Sequence, residues 1–210
     1  MIKDSHKDKN IIVFGATGKT GHQIVRYALE KGYHVTAFVR DKSRLNLKYN
    51  NLKIVKGNVL NIKDVDRAIS NQNIVISSLG SKPGQPTVCC PGIKNILQAM
   101  QKFKVKKLIA VSAHGVRAAG GVYGRILNFI LKKQMQDKNE MEELIEKSKT
   151  DWTVVRPPVL TNGGHTDNYN LLTDQSLKGL RFISREDTAR FIIDSLEKRN
   201  YKNKFVTIYS

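Results

Sequence analysis

The chain has 210 residues, with 36 Lys and Arg against 18 Asp and Glu, a formal net charge of +18. At 40% hydrophobic and 26% charged residues it has a globular composition, long enough to bury a full core in one domain spanning residues 1–210. No apolar run reaches the ~20 residues of a membrane span, Met1 to Asn10 holds no signal-peptide core, and the adjacent Cys89 and Cys90 cannot build a disulfide framework. A cytoplasmic protein without membrane attachment is therefore expected.

Residues 1–9 are polar and expected to form a flexible tail. Ile11 to Phe14 then reads as a buried strand, followed by Gly15, Gly18 and Gly21 in G-x-x-G-x-x-G spacing. Ile24, Val25, Ala28 and Leu29 form one helical stripe between Lys19 and Lys31, with Gly32 placed to cap it. Tyr33–Val39 and Leu52–Val55 are further strands. Asn61 can cap a helix running to about Ile69, with Asp64 near its positive end. Asn73–Leu79 is a fourth strand, Pro91–Phe103 a helix with Ile93, Ile96, Leu97 and Met100 inward, and Lys107–Ser112 a fifth strand. The pattern from Tyr123 to Lys147 is helical with an expected break near Gln134. Trp152–Val155 is a sixth strand stopped by Pro157-Pro158. In the tail, Tyr169–Leu172 reads as a strand and Arg185 to about Lys198 as a helix, opened by Ser184 with Asp187 three residues on. Lys204–Ile208 closes the chain as a strand.

Strand and helix alternate throughout, which predicts an α/β fold: a Rossmann-type doubly wound parallel sheet covered on both faces. Ligands of such sheets bind outside the carboxyl ends of the strands. That rule selects Gly15–Thr20, Arg40–Arg44, Asn58-Val59, Ser78–Ser81, Ser112–Gly115 and Pro157–Asn162. Glycines where a strand hands over to a helix let the backbone turn sharply and approach a pyrophosphate, and the helix N-terminus supplies free N–H groups. Gly18-Lys19-Thr20 also resembles the end of a nucleotide-hydrolase phosphate loop, but that motif needs a glycine where Val13 stands.

An acid at the end of the second strand would suit the ribose hydroxyl of NAD. Here Arg40 stands there, with Arg44 close behind, and a guanidinium suits a 2′-phosphate, which favours NADP(H). Asp41 offers the competing choice of a ribose. The stretch from Arg67 to Gln136 contains no acid and eleven Lys or Arg. Such a field suits an anionic small molecule, nucleic acid or an acidic surface, or is simply solubilising. Without a nucleic-acid motif, nucleic acid is the weaker reading. His114 is a candidate proton donor beside Ser112. His165 lies on a glycine-flanked loop, and Cys89 and Cys90 precede a helix start, where a thiolate is stabilised, although small packing residues are the preferred reading. No His, Cys or carboxylate spacing fits a metal, so none is expected.

Gly15-Ala16-Thr17-Gly18-Lys19-Thr20-Gly21, Val39-Arg40-Asp41, Gly57-Asn58-Val59, Val111-Ser112-Ala113 and Val155-Arg156-Pro157-Pro158 resemble the atypical short-chain dehydrogenase/reductases. The likeness is to the NmrA-like branch and to the biliverdin-IXβ reductase/flavin reductase group. It covers nearly the whole chain and implies NADPH as hydride donor to a flat acceptor such as a flavin, a tetrapyrrole or a quinone. By the same resemblance, Gly15, Thr17, Gly18, Lys19 and Thr20 meet the pyrophosphate, and Arg40 with Arg44 the 2′-phosphate. Asn58 and Val59 flank the adenine, Leu79 and Gly80 lie by the nicotinamide-side ribose, Ser112 sits near nicotinamide and substrate, and Pro157 and Pro158 line that pocket. Lys138 and Val159 fall where the biliverdin reductase has histidines. The usual Tyr-x-x-x-Lys pair is missing after the fifth strand, where Tyr123 is followed by Leu127, and Tyr27-x-x-x-Lys31 lies on the wrong helix. The implied enzyme is an NADPH-dependent reductase without that pair, with Ser112 and His114 as catalytic candidates, a planar anionic substrate, and a monomeric or weakly dimeric state. The alternative is a non-catalytic NADP-binding sensor. Ile126, Leu127, Ile130 and Leu131 are read as core or as an oligomer contact.

Overall fold

The structure, a computed structural model, describes residues 9–114, 121–175 and 177–210, with backbone alone for 121–130 and for 199. The proposed tail over residues 1–8 and Gly115 therefore lie outside the described residues, as do the side chains of Tyr123, Ile126, Leu127 and Ile130.

Among the described residues, ten strands and five α-helices follow in the order β1 (Asn10–Phe14), α1 (Lys19–Glu30), β2 (His34–Val39), β3 (Leu52–Lys56), α2 (Ile62–Ile69), β4 (Ile74–Ser77), α3 (Cys89–Lys102), β5 (Lys107–Val111), α4 (Gly121–Glu146), β6 (Asp151–Arg156), β7 (Val159–Thr161), β8 (Asn170–Thr173), β9 (Phe182–Ser184), α5 (Arg185–Asp194) and β10 (Lys204–Tyr209). Eight strands form one sheet in the order β3-β2-β1-β4-β5-β6-β10-β8. It is parallel except for β8, which runs antiparallel to β10. The chain reverses its order of strand addition between β1 and β4, and the crevice at that switch point is where a doubly wound sheet takes a ligand.

Strand pleating divides the core in two. Ile11 and Val13 face α1 and α5, whereas Ile12 and Phe14 face α2 and α3, all four fully buried. Near-continuous apolar strands are what a sheet covered on both faces requires.

Local signals formed as expected at several ends. Asn61 caps α2 by accepting from the Lys63 N–H, and Ser184 and Asp187 close a capping box on α5. Gly32, with φ +85°, follows the C-cap of α1.

Other expectations are corrected. α4 runs unbroken through Gln134, a good helix former whose carboxamide reaches out to the Lys82 carbonyl. α3 begins at Cys89, which leaves Pro91 in the first turn, where its missing N–H costs no helical hydrogen bond. β4 stops at Ser77, although the Ser78 N–H still donates to the Phe14 carbonyl. Two three-residue strands that the sequence did not announce, β7 and β9, pair parallel as a small second sheet.

Candidate functional site

The glycine loop is dictated by close contacts. Gly15 has φ +78°, and a Cβ there would stand 2.3 Å from the Ser78 carbonyl oxygen. At Gly21 a Cβ would stand 2.1 Å from the Gly15 oxygen, so helix and turn touch backbone to backbone. Gly18 is different: it is exposed, and a Cβ would meet only the Gly15 oxygen at 3.2 Å, which leaves its outer side open. No side chain caps α1, and no acid occupies its first turn. Among the described residues the N–H groups of Lys19, Thr20 and Gly21 have no acceptor. Orphan donors at the positive end of a helix are the physical requirement for a phosphate. Thr17 is half-buried and Lys19 exposed, while the Thr20 side chain turns into the core, leaving only its main chain to the site.

Arg40 and Arg44 are exposed past the end of β2, and neither guanidinium makes an ion pair or hydrogen bond with another described residue. Asp41, between them, accepts from the Ser43 N–H (3.0 Å) and Oγ (2.8 Å), capping a short 3-10 turn over Lys42–Arg44. Those hydrogen bonds, chiefly the Ser43 hydroxyl's, hold its carboxyl below the usual range. The acid that competed for the ribose is committed to its own turn, while the two guanidiniums remain available.

Asn58 accepts from the Leu60 N–H, and its own N–H donates to Asp64, so its role here is to shape the turn. Val59 is buried against Gly92, its carbonyl held by Asn95. Leu79 is partly buried against the α2–α3 side of the core, and its carbonyl accepts from the Cys89 thiol; Gly80 is exposed.

At the ends of β5 and β6, the Ser112 N–H donates to the Val155 carbonyl and the His114 N–H to that of Pro157, both at 2.8 Å. These bonds bring Ser112, His114 and Pro157 together. Ser112 is 4% exposed, and its hydroxyl has no partner among the described residues. A buried hydroxyl without a partner costs free energy unless a ligand completes it. Burial holds the His114 pKa below its ordinary value. The nearby Arg156 charge adds to this, while a hydrogen bond to the Leu177 main chain opposes it. Lys138 Nζ donates to the Val111 carbonyl at 3.3 Å, which puts an ammonium beside Ser112. Val159 is exposed.

Three features were not legible in sequence. The buried Asp137 accepts from the N–H groups of Val88, Cys89 and Cys90, filling the N-terminus of α3. With that carboxylate in place and the sulfur enclosed, burial pushes the Cys89 thiol up to about 12 and raises Cys90, so both read as packing residues. Glu142, fully buried, grips Arg156 with both oxygens, at 3.0 and 2.6 Å. His165 stands 3.2 Å from Asp167 and 3.6 Å from Asp187. This trio superficially resembles a metal cluster, but Asp187 already accepts from Thr166 and Ser184. Tyr27 and Lys31 lie together against Asp194 on α5, a structural contact remote from Ser112.

A glycine turn, an uncapped helix and basic strand ends at the switch point define a dinucleotide-binding protein of Rossmann type. The chain belongs to the NAD(P)H-binding family, whose model matches residues 15–199. It is 30% identical over 96% of its length to an uncharacterised chloroplastic protein of Arabidopsis thaliana, covering 77% of that protein. It is 28% identical over 97% of its length to the chloroplastic divinyl chlorophyllide a 8-vinyl-reductase of the same plant, spanning 54% of that enzyme. Two solved structures share the fold. One is a short-chain dehydrogenase/reductase of Veillonella parvula in complex with NADP (TM-score 0.84, 18% identical, 96% and 94% of the two chains covered). The other is the anaerobilin reductase ChuY of Escherichia coli O157:H7 (TM-score 0.82, 18% identical, 95% and 96% covered). Among the described residues no helix is long and apolar enough to cross a membrane.

Proposed function

We propose that this protein is an NADPH-dependent reductase that passes hydride to a flat acceptor held over the ends of β5 and β6. The observation that carries the reading is the buried Ser112 hydroxyl, unpartnered among the described residues, at the end of β5, where the neighbouring His114 N–H donates to Pro157. That the matched vinyl-reductase and the fold-mate ChuY are both reductases supports it.

In this reading the Lys19, Thr20 and Gly21 N–H groups hold the pyrophosphate, and Arg40 with Arg44 holds the 2′-phosphate and so selects NADPH over NADH. The bound nicotinamide supplies the hydride. Ser112 donates its hydroxyl to the ring edge, and Pro157 and Pro158 exclude water from it. The Lys138 ammonium stabilises charge that develops on the acceptor. His114 delivers the accompanying proton from its imidazole, replenished from solvent, in place of a tyrosine.

Steady-state oxidation of NADPH with FMN, biliverdin and quinones tests the proposal. Turnover with at least one acceptor, preferring NADPH to NADH, is the expected result. Tight NADP binding with no turnover on any of them would overturn it and leave the alternative of a dinucleotide sensor.

A further inference from the structure

Arg156 stands between the two residues whose carbonyls hold the catalytic candidates. The Val155 carbonyl accepts from the Ser112 N–H and the Pro157 carbonyl from the His114 N–H, both at 2.8 Å, so the chain leaving β5 is mounted on Val155–Pro157. The Arg156 side chain is gripped from two further elements. Its Nε and Nη2 donate to the two carboxylate oxygens of Glu142 on α4, at 3.0 and 2.6 Å. On β10, the Phe205 ring centre lies 3.9 Å from the guanidinium carbon. A bidentate carboxylate and an aromatic face together leave a planar guanidinium little freedom. Lys138 and Glu142 stand one turn apart on the same face of α4. Lys138 Nζ donates to the Val111 carbonyl and Glu142 holds Arg156, so one helix face grips the ends of both β5 and β6.

The clamped guanidinium, its side chain 14% exposed, also acts through its charge. Burial disfavours protonation of the half-buried His114, the Arg156 charge adds to that effect, and the hydrogen bond to the Leu177 main chain works against it. The same charge reaches Asp174 past the end of β8, whose carboxylate Lys204 of β10 holds at 2.6 Å. From α4, Lys138 brings a second cation beside Ser112. We propose that Arg156 is a positioning residue: clamped by Glu142 and Phe205, it fixes the strand end that carries the Ser112 and His114 main chains and keeps a permanent positive charge near the imidazole. This role rests on the reductase reading for the use of the imidazole proton and adds the residue that sets when that proton is available. An arginine suits it because a guanidinium keeps its charge at every working pH.

The imidazole signals of His114, assigned with His114→Gln and followed by NMR as pH is varied, read the charge without any need for turnover. Arg156→Met should raise the His114 midpoint by about half a pH unit or more, and the His114 limb of the pH–rate profile should move up with it. Arg156→Lys keeps the charge and should leave the midpoint near that of wild type. It gives up the bidentate grip, so hydrogen exchange at the Ser112 and His114 amides should quicken about five-fold relative to Ile109 within β5. If Arg156→Met fails to fold over its unpaired carboxylate, Glu142→Met with Arg156→Met removes both charges and should raise the midpoint in the same direction. A merely structural arginine would lower stability in these variants and leave the midpoint in place. An unmoved midpoint in the folded methionine variant overturns the proposal, as does a lysine variant that titrates like the methionine one, or one whose two amides exchange as in wild type. A midpoint that moves in a protein without turnover defeats the reductase reading alone. Turnover with an unmoved midpoint defeats the role of Arg156 alone.

Discussion

Replacing Glu142 by alanine should be among the most damaging single changes outside the glycine loop. Glu142 is fully buried and bonds Arg156 through both carboxylate oxygens, while the Arg156 side chain is 14% exposed and its guanidinium lies 3.9 Å over the Phe205 ring. Removing the carboxylate leaves a largely buried guanidinium without its counter-charge. Breaking a buried pair in this way costs about 3–5 kcal/mol. For a domain of this size each kcal/mol moves Tm by about 2–4 °C, so a drop of about 6–20 °C is expected. Replacing both partners, Glu142→Met with Arg156→Met, removes the stranded charge and should recover most of the loss. Thermal melts of wild type, Glu142→Met, Arg156→Met and the double variant form the cycle, with Glu142→Ala melted beside them. A loss below about 1 kcal/mol in Glu142→Ala would refute the reasoning, as would a double variant no more stable than the single.

Arg40→Gln should cut the preference for NADP over NAD about ten- to hundred-fold, the worth of a charged hydrogen-bonded contact to phosphate, as read from the two dissociation constants. An unchanged ratio would return the discrimination to another residue. Asp137→Ala strips the acceptor from three N–H groups of α3 and should cost about 1–3 kcal/mol in denaturant unfolding, with Asp137→Asn intermediate. Burial lowers the His114 pKa in the folded protein, so the unfolded chain binds the extra proton first as pH falls. The His114 contribution to stability is therefore full above the unfolded pKa near 6.5 and declines as pH drops below it. Turnover should move the opposite way and rise as the imidazole protonates, and His114→Gln should flatten that limb of the pH–rate profile. A limb unchanged in the variant would exclude His114 as proton donor.

What the sequence revealed is what is encoded within about one turn of chain. Gly15 to Gly21, Asn61 before α2, and Ser184 with Asp187 are each a complete physical device inside a few residues, and each formed as read. What escaped is built from partners far apart. Asp137 caps a helix 47 to 49 residues earlier, and in sequence it is one more acid on a polar helix face. β7 and β9 are three residues each, too short for periodicity to register, and they exist because Val159–Thr161 finds Phe182–Ser184 on an opposing segment. The dinucleotide half of the site was therefore legible as a loop and a strand end. The contact between Arg185 and Asn162 was not, since it is made only through that pairing.

The same long-range contacts explain how a net charge of +18 becomes local. Acids that border the carboxyl edge of the sheet are engaged by the fold: Asp41 by Ser43, Asp137 by the start of α3, Glu142 by Arg156, Glu186 by Arg26 and Arg190, and Asp187 by Thr166 and Ser184. Arg40 and Arg44, by contrast, have no such partner among the described residues, and Lys19 and Arg185 face an open cleft. Charge excess spread evenly over a surface is screened within about 10 Å at ordinary salt. Cations gathered at a concave edge whose acids are held by hydrogen bonds or ion pairs of the fold present their positive field to a small anion. An anionic cofactor draws on that arrangement, in which the acids hold the structure together and the bases are left to bind.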